Sequence, residues 1–144
     1  MAATFFKFDD FMLQLLKGVH HLHAAGDVVK AYLSDAAPSQ TLDLVKADIA
    51  EIGAGSSNYV VGGIDIQNDA AQTSGTGRVT GVDVTFGPYT GGTVGPFRYV
   101  VLYNDTAASD NLIGAFDYTS EVTLQIGESL KLDLDPTSVF TIGP

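Results

Sequence analysis

Between Phe97 and Ile142 the chain reads FRYVVLYND, LIGAFDY, EVTLQIG and SLKLDLD, four strand-like runs in close succession, joined by short polar or glycine-containing connections. Such spacing leaves no room for crossover helices, so neighbouring strands must pair antiparallel. Phe97 to Tyr103 is bulky on both faces, which suits a central strand covered on each side. Leu112 to Tyr118 is shorter and carries Gly114. Val122, Leu124 and Ile126 alternate with Thr123 and Gln125; beyond Gly127-Glu128-Ser129, Leu130, Leu132 and Leu134 alternate with Lys131 and Asp133. These last two runs predict a hairpin with six apolar side chains on one face, closed by Asp135-Pro136 and packed against the first helix. VFTI, up to Ile142, adds an expected edge strand.

The earlier sequence supplies that helix. Phe5, Phe8, Met12, Leu15, Leu16, Val19 and Leu22 recur at steps of three and four, which predicts a helix over about 5–23 with these residues buried. Thr4 is its expected N-cap, Asp9 and Asp10 suit its start, Gly18 weakens it and Gly26 stops it. Phe6 and Phe11 fall off the stripe and are expected to be partly exposed. Asp27 to Ser34 is apolar on both faces and reads as an internal strand. The segment 41–52 fits either a short helix or an irregular arm. A strand broken at Gly62-Gly63 follows, then AQTSGTGRV as a flexible connection. Val82, Val84 and Phe86 share one face of a further strand, and Pro88 to Pro96 forms a glycine-rich loop, mobile unless something packs on it. The sum is a single domain over 1–144, mainly β within an α+β class: an antiparallel β sandwich or jelly-roll-like barrel with one N-terminal amphipathic helix.

Charge and composition narrow the chemistry. Seventeen acids against seven scattered bases give a net charge of −10, with no basic stripe to grip phosphates, so direct nucleic-acid binding is not expected. No apolar run is long enough for a membrane helix, and acids interrupt MAATFFKFDDF where a signal peptide needs an apolar core. Cysteine is absent, which removes disulfides and thiolate metal sites. His20, His21 and His23 are the only histidines. His20 and His23 at i and i+3 on one helix face, with Asp27, offer three ligands for a metal, but no second cluster completes four, and a polar helix end is the simpler reading. No G-x-S-x-G, P-loop or EF-hand pattern occurs. Asp65, Asp83, Asp117 and Asp133 lie on the polar faces of strand candidates, as solvated surface does. No enzyme, cofactor or metal is therefore expected.

Several stretches form a recognisable set of strand and turn patterns. The pieces are Leu15-Leu16-Lys17-Gly18 for an L-L-x-G helix, Val29-Lys30-Ala31-Tyr32-Leu33 for a strand, and Tyr59-Val60-Val61-Gly62-Gly63 for a Y-x-x-G-G element. Arg98-Tyr99-Val100-Val101-Leu102-Tyr103 and Leu112-Ile113-Gly114-Ala115-Phe116-Asp117 match two further strands. In these pieces the chain resembles a family of small structural proteins of tailed bacteriophages; the resemblance spans nearly the whole chain, 70–80 being least matched, and its motifs are patterns of strands and turns rather than chemical signatures. It implies a non-enzymatic virion component made in the host bacterial cytoplasm: a capsid decoration or cement protein on the head surface, bound to the major capsid protein, with no catalytic residues to transfer. Tail or neck placement, or a host-glycan-binding virion module using 88–96 and 104–111, are the alternatives. Bridging at symmetry axes implies a homo-oligomer, dimer or trimer. The expected contacts are Phe5 and Phe6 at one end and Pro88, Tyr89, Thr90 and Val94 in the glycine-rich loop.

Overall fold

A computed structural model of the chain describes residues 3–135 and 137–143. It is 41% strand and 8% helix, with antiparallel sheets and one helix near the N-terminus, so the mainly β, sandwich-like α+β class holds. In chain order the elements are β1 (Thr4–Lys7), α1 (Asp9–Leu16), β2 (Val29–Ser34), a 3-10 turn (Lys46–Asp48), β3 (Ile64–Asp65), β4 (Asp69–Thr73), β5 (Thr76–Thr80), β6 (Val84–Phe86), β7 (Val94–Asn104), β8 (Leu112–Leu124), β9 (Leu130–Leu132) and β10 (Phe140–Ile142). The principal sheet runs β1-β8-β7-β2-β3; a three-stranded sheet runs β10-β5-β4, and β6 pairs with β9.

Side-chain alternation on β2 and β7 explains the layering. Val29, Ala31 and Leu33 of β2 and Val100 and Leu102 of β7 enter one core, which they share with Phe86, Leu132, Val79 and Phe140 of the smaller sheets and Phe11 of α1. Tyr32, Tyr99, Val101 and Tyr103 point the other way into a second core with Phe8, Ile49 and Leu112. A strand buried on both faces reads as a near-continuous apolar run, as both strands do. The segment after β2 is an irregular arm that covers the second core: Ile52 N–H donates to Leu33 O (3.0 Å), Tyr32 Oη to Ile49 O (3.1 Å) and Ser34 Oγ to Ala50 O (2.6 Å). Lys46 lies 4.7 Å above the Tyr32 ring and pairs with the buried Glu51 at 2.8 Å.

The N-terminal helix is shorter than its apolar spacing predicts. Residues 4–7 are a strand paired to β8, Thr4 opposite Asp117, so Thr4 is not a helix cap. The helix begins after Phe8 and ends in a Schellman motif: Gly18 has φ +76°, and Val19 N–H reaches Gln14 O at 2.9 Å. Gly18 is thus the stop, not an interior weakness. Of the predicted stripe, Phe8 is buried, whereas Met12 is 38% and Leu16 83% exposed; Phe11, expected at the surface, is wholly buried. The steps of three and four arise by coincidence across a strand-to-helix junction.

Two further expectations are corrected. The hairpin of 122–126 with 130–134 does not form. β8 runs on to Leu124 and stays with β7 (Val94 opposite Leu124), while β9 crosses to β6 (Val84 opposite Leu132). The turn between them exists, with Glu128 N–H to Gln125 O at 2.9 Å, but it hands the chain from one layer to the other. Leu124, Leu132 and Leu134 are buried, Val122 and Leu130 half-buried and Ile126 63% exposed. From the helix, Phe11 meets this core as a buried residue and Leu15 as a partly buried one. Pro136, expected to close the hairpin, lies outside the described residues. The supposed flexible connection 71–79 lies within a hairpin, β4 with β5, Thr73 opposite Thr76 around Ser74-Gly75 at φ +52° and +81°. The expected edge strand is present as β10, on the outside of β5.

Candidate functional site

Two regions were expected to meet a partner, and the structure treats them differently. In the glycine-rich loop, Pro88 and Thr90 are exposed, whereas Tyr89 (6% exposed) and Val94 (2%) belong to the main core. The Tyr89 ring packs edge-on to Tyr59 at 6.0 Å, and Tyr89 O accepts from Gly127 N–H at 2.8 Å. Asn58 Oδ1 accepts from the backbone N–H groups of Thr90 and Gly91, each at 3.1 Å. Gly91 and Gly92 press so closely on Ser56 that a Cβ at either would come within 2.5 Å of it. The loop therefore needs no partner to order it: the chain's own Ser56–Asn58 strap does so, and its aromatic and valine anchors are spent on the interior.

Phe5 and Phe6 stand otherwise. They lie on β1, an edge strand of the principal sheet, beside an open groove of about 690 Å³ bounded also by Met12, Gln40 and Phe140. Phe5 leans inward over Gly114, where a Cβ would lie 2.4 Å from its ring; its ring is 4.8 Å from Phe116 and stacks on Phe140 at 5.6 Å. Phe6 points to the opposite face and meets Phe8 edge-on at 5.5 Å. Both are half-buried. Phe8 N–H donates to Ile113 O at 3.1 Å, and the pairing sum carried back along the strand makes Phe6 and Thr4 the other hydrogen-bonded partners of β8. The backbone groups of Phe5 and Lys7 consequently face outward. Lys7 O is met by Gln40 Nε2 at 2.9 Å, and Lys7 Nζ reaches Thr141 O at 2.9 Å.

Sequence reasoning missed the other half of this surface. Met12, Leu13 (48% exposed) and Leu16 share a helical face by their spacing of three and four, and Met12 lines the groove. Three large apolar side chains exposed on an eight-residue helix beside an open strand edge form a patch of the kind that marks interfaces. The signal in the sequence was the excess of apolar residues in FMLQLL over what one buried stripe uses.

The histidines do not form a polar helix end. They follow α1 in irregular chain, and His20 is 4% exposed with its ring 5.0 Å from Phe11. Its Nδ1 lies 3.0 Å from Asn104 Nδ2, which also donates to Asp27 Oδ2 at 2.7 Å. Asp27 Oδ2 further accepts from His21 N–H at 2.9 Å. Burial strips the His20 imidazolium of water and lowers its pKa, outweighing attraction to Asp27 and Asp10. Burial opposes ionisation of Asp27, but the Asn104 amide, the His21 N–H and the charges of His21 and His20 together hold its carboxyl below the usual range. Among the described residues no three His, Asp or Glu side chains are grouped to hold a metal. Of the strand carboxylates, Asp117 takes Arg98 through two bonds of 2.8 and 2.9 Å, Asp83 pairs with Lys131 at 2.7 Å, and Asp65 accepts from Gln67 N–H. Among the described residues no helix is long and apolar enough to cross a membrane.

No protein-family profile, curated protein or solved structure matches this chain.

Proposed function

We propose that this is a non-enzymatic virion structural protein of a tailed bacteriophage, a decoration or cement protein that docks on the major capsid protein at the head surface. The observation that carries the reading is the patch on β1 and α1. The edge strand with its half-buried Phe5 and Phe6, the groove beside it that Met12 also lines, and the exposed Leu13 and Leu16 on the same short helix stand out on an otherwise acidic molecule. Such a surface takes an added strand along its edge, with side chains seated in the neighbouring groove. The strand and turn patterns shared with the phage family point to the same role.

Cementing works through added interface. A standard contact buries about 1,600 Å² in total, and a shell repeats it over many copies. Each copy bridges neighbours, so the protein binds assembled shells better than isolated subunits. With a net charge of −10, the receiving surface on the shell is apolar, basic, or both. Self-association as a dimer or trimer places the bridges at symmetry axes. Pro88 and Thr90, exposed at the rim of the ordered loop, are secondary contacts.

The test is to strip the protein from purified particles, measure rebinding to shells and to free subunits, and follow shell rupture on heating. The expected result is preferential rebinding to shells and earlier rupture without the protein. Equal robustness of stripped particles, or density for the protein only at the tail, overturns the proposal.

A further inference from the structure

Beside His20 lies a second cavity, of about 340 Å³, between the histidine segment and the β4–β5 hairpin. Its wall is largely apolar, with Leu15, Leu22, Val79 and Ile142 prominent, and no Asp or Glu lines it although the chain holds seventeen. Two lining residues, His20 and Arg78, share a property. Among the described residues, only His20 Nε2 and Arg78 Nε are buried side-chain polar atoms without a hydrogen-bond partner.

Both atoms are donors. The Asn104 amide orientation is set by its Oδ1, which accepts from Thr106 N–H (3.0 Å) and Ala107 N–H (3.1 Å). Its Nδ2 therefore faces His20, so His20 Nδ1 accepts and the ring proton sits on Nε2. Arg78 Nε–H is a donor always, and the guanidinium is otherwise tied at Nη2 to Thr73 Oγ1. The two residues that carry these donors, one of them cationic, line one apolar cavity in an acidic protein, and the ligand complementary to them is an apolar body carrying a single anionic acceptor. Buried donors are nearly always satisfied in folded proteins, and each exception calls for an explanation.

We propose that this cavity binds a small monocarboxylate, its apolar portion against Leu15, Leu22, Val79 and Ile142 and its carboxylate accepting from His20 Nε2–H and Arg78 Nε–H. The volume falls in the range of small-molecule pockets. A carboxylate supplies two oxygens, one for each donor, and the bond from Arg78 is charge-assisted. The side chains that seal the two nitrogens from water part to admit it. The site borders α1 through Leu15 but shares no lining residue with the docking groove, and it does not depend on the docking role.

Sodium octanoate, with 1-octanol as the uncharged control, is titrated into the whole protein while the histidine side-chain resonances are followed by NMR. The expected result is saturable binding of octanoate at least about tenfold tighter than octanol, with the largest shift at the His20 ring proton, and about tenfold weaker binding by Arg78→Gln. Lys17→Gln, which removes a cation outside the cavity, leaves affinity unchanged. Because Arg78 is only half-buried, its variant tests the site without emptying the core. Equal affinity for octanol and octanoate, an unmoved His20 ring, or undiminished binding by Arg78→Gln overturns the proposal.

Discussion

Asn104 is the side chain whose loss is most informative. It is wholly buried at the end of β7, and its side chain serves the N–H groups of Thr106 and Ala107, the Asp27 carboxylate and His20 Nδ1, with a longer contact to Val19 O at 3.5 Å. It thus joins the segment after α1 to the principal sheet. A buried hydrogen bond contributes about 1 kcal/mol net, and one to a charged group about 1.5–3. Asn104→Ala also leaves Asp27 and His20 short of a partner, so a loss of about 3–5 kcal/mol is expected. At this chain length that lowers Tm by roughly 10–16 °C. Urea denaturation at pH 7 with a fixed m-value measures it. Asn104→Asp sharpens the test, because it keeps the acceptor for Thr106 and Ala107 but sets a second carboxylate against Asp27. At pH 7 it should destabilise at least as much as Asn104→Ala, with partial recovery as pH falls and one carboxyl protonates. The sign for wild type is opposite: the Asp27 pKa is depressed in the fold, so its contribution is complete above the ordinary carboxylate range and is lost as pH falls through the depressed value. A change below about 0.5 kcal/mol in Asn104→Ala, or wild-type stability in Asn104→Asp at pH 7, would refute the assigned network.

Leu132→Ala removes a side chain 2% exposed from the main core and should cost about 2–5 kcal/mol; an unchanged melting temperature would show that β9 does not pack there. Gly114→Val forces Phe5 off β8, so it should destabilise by a few kcal/mol and expose the β8-bonded amides of Thr4, Phe6 and Phe8 to hydrogen exchange, whereas intact protection at these three would contradict the close ring contact. Leu16→Glu should leave stability within about 0.5 kcal/mol, since the residue is 83% exposed, while weakening shell binding about tenfold or more; binding equal to wild type would remove α1 from the interface.

Strand identity was legible wherever both faces of a segment are apolar. β2 and β7 are central because VVKAYLS and FRYVVLY are apolar on both faces apart from Lys30 and Arg98, which carry their charges to the surface, and the mainly β class follows from the number and spacing of such runs. Partner choice was not legible. Alternation in Val122–Ile126 and Leu130–Leu134 says which side chains share a face, not which strand lies beside them. Phe86, distant in sequence and wholly buried, won β9 from its sequential neighbour. The β4–β5 hairpin hid for the opposite reason: Ala70 to Thr73 are exposed, so only the Ser74-Gly75 turn betrayed it. At the candidate interface the aromatic end was visible in the sequence. The fate of Tyr89 and Val94, and the exposure of Leu16, depended on which surfaces the finished sandwich had room to cover. Periodicity is a property of neighbouring residues, whereas burial and pairing are settled by segments many residues apart competing for the same face, so only the tertiary structure decides them.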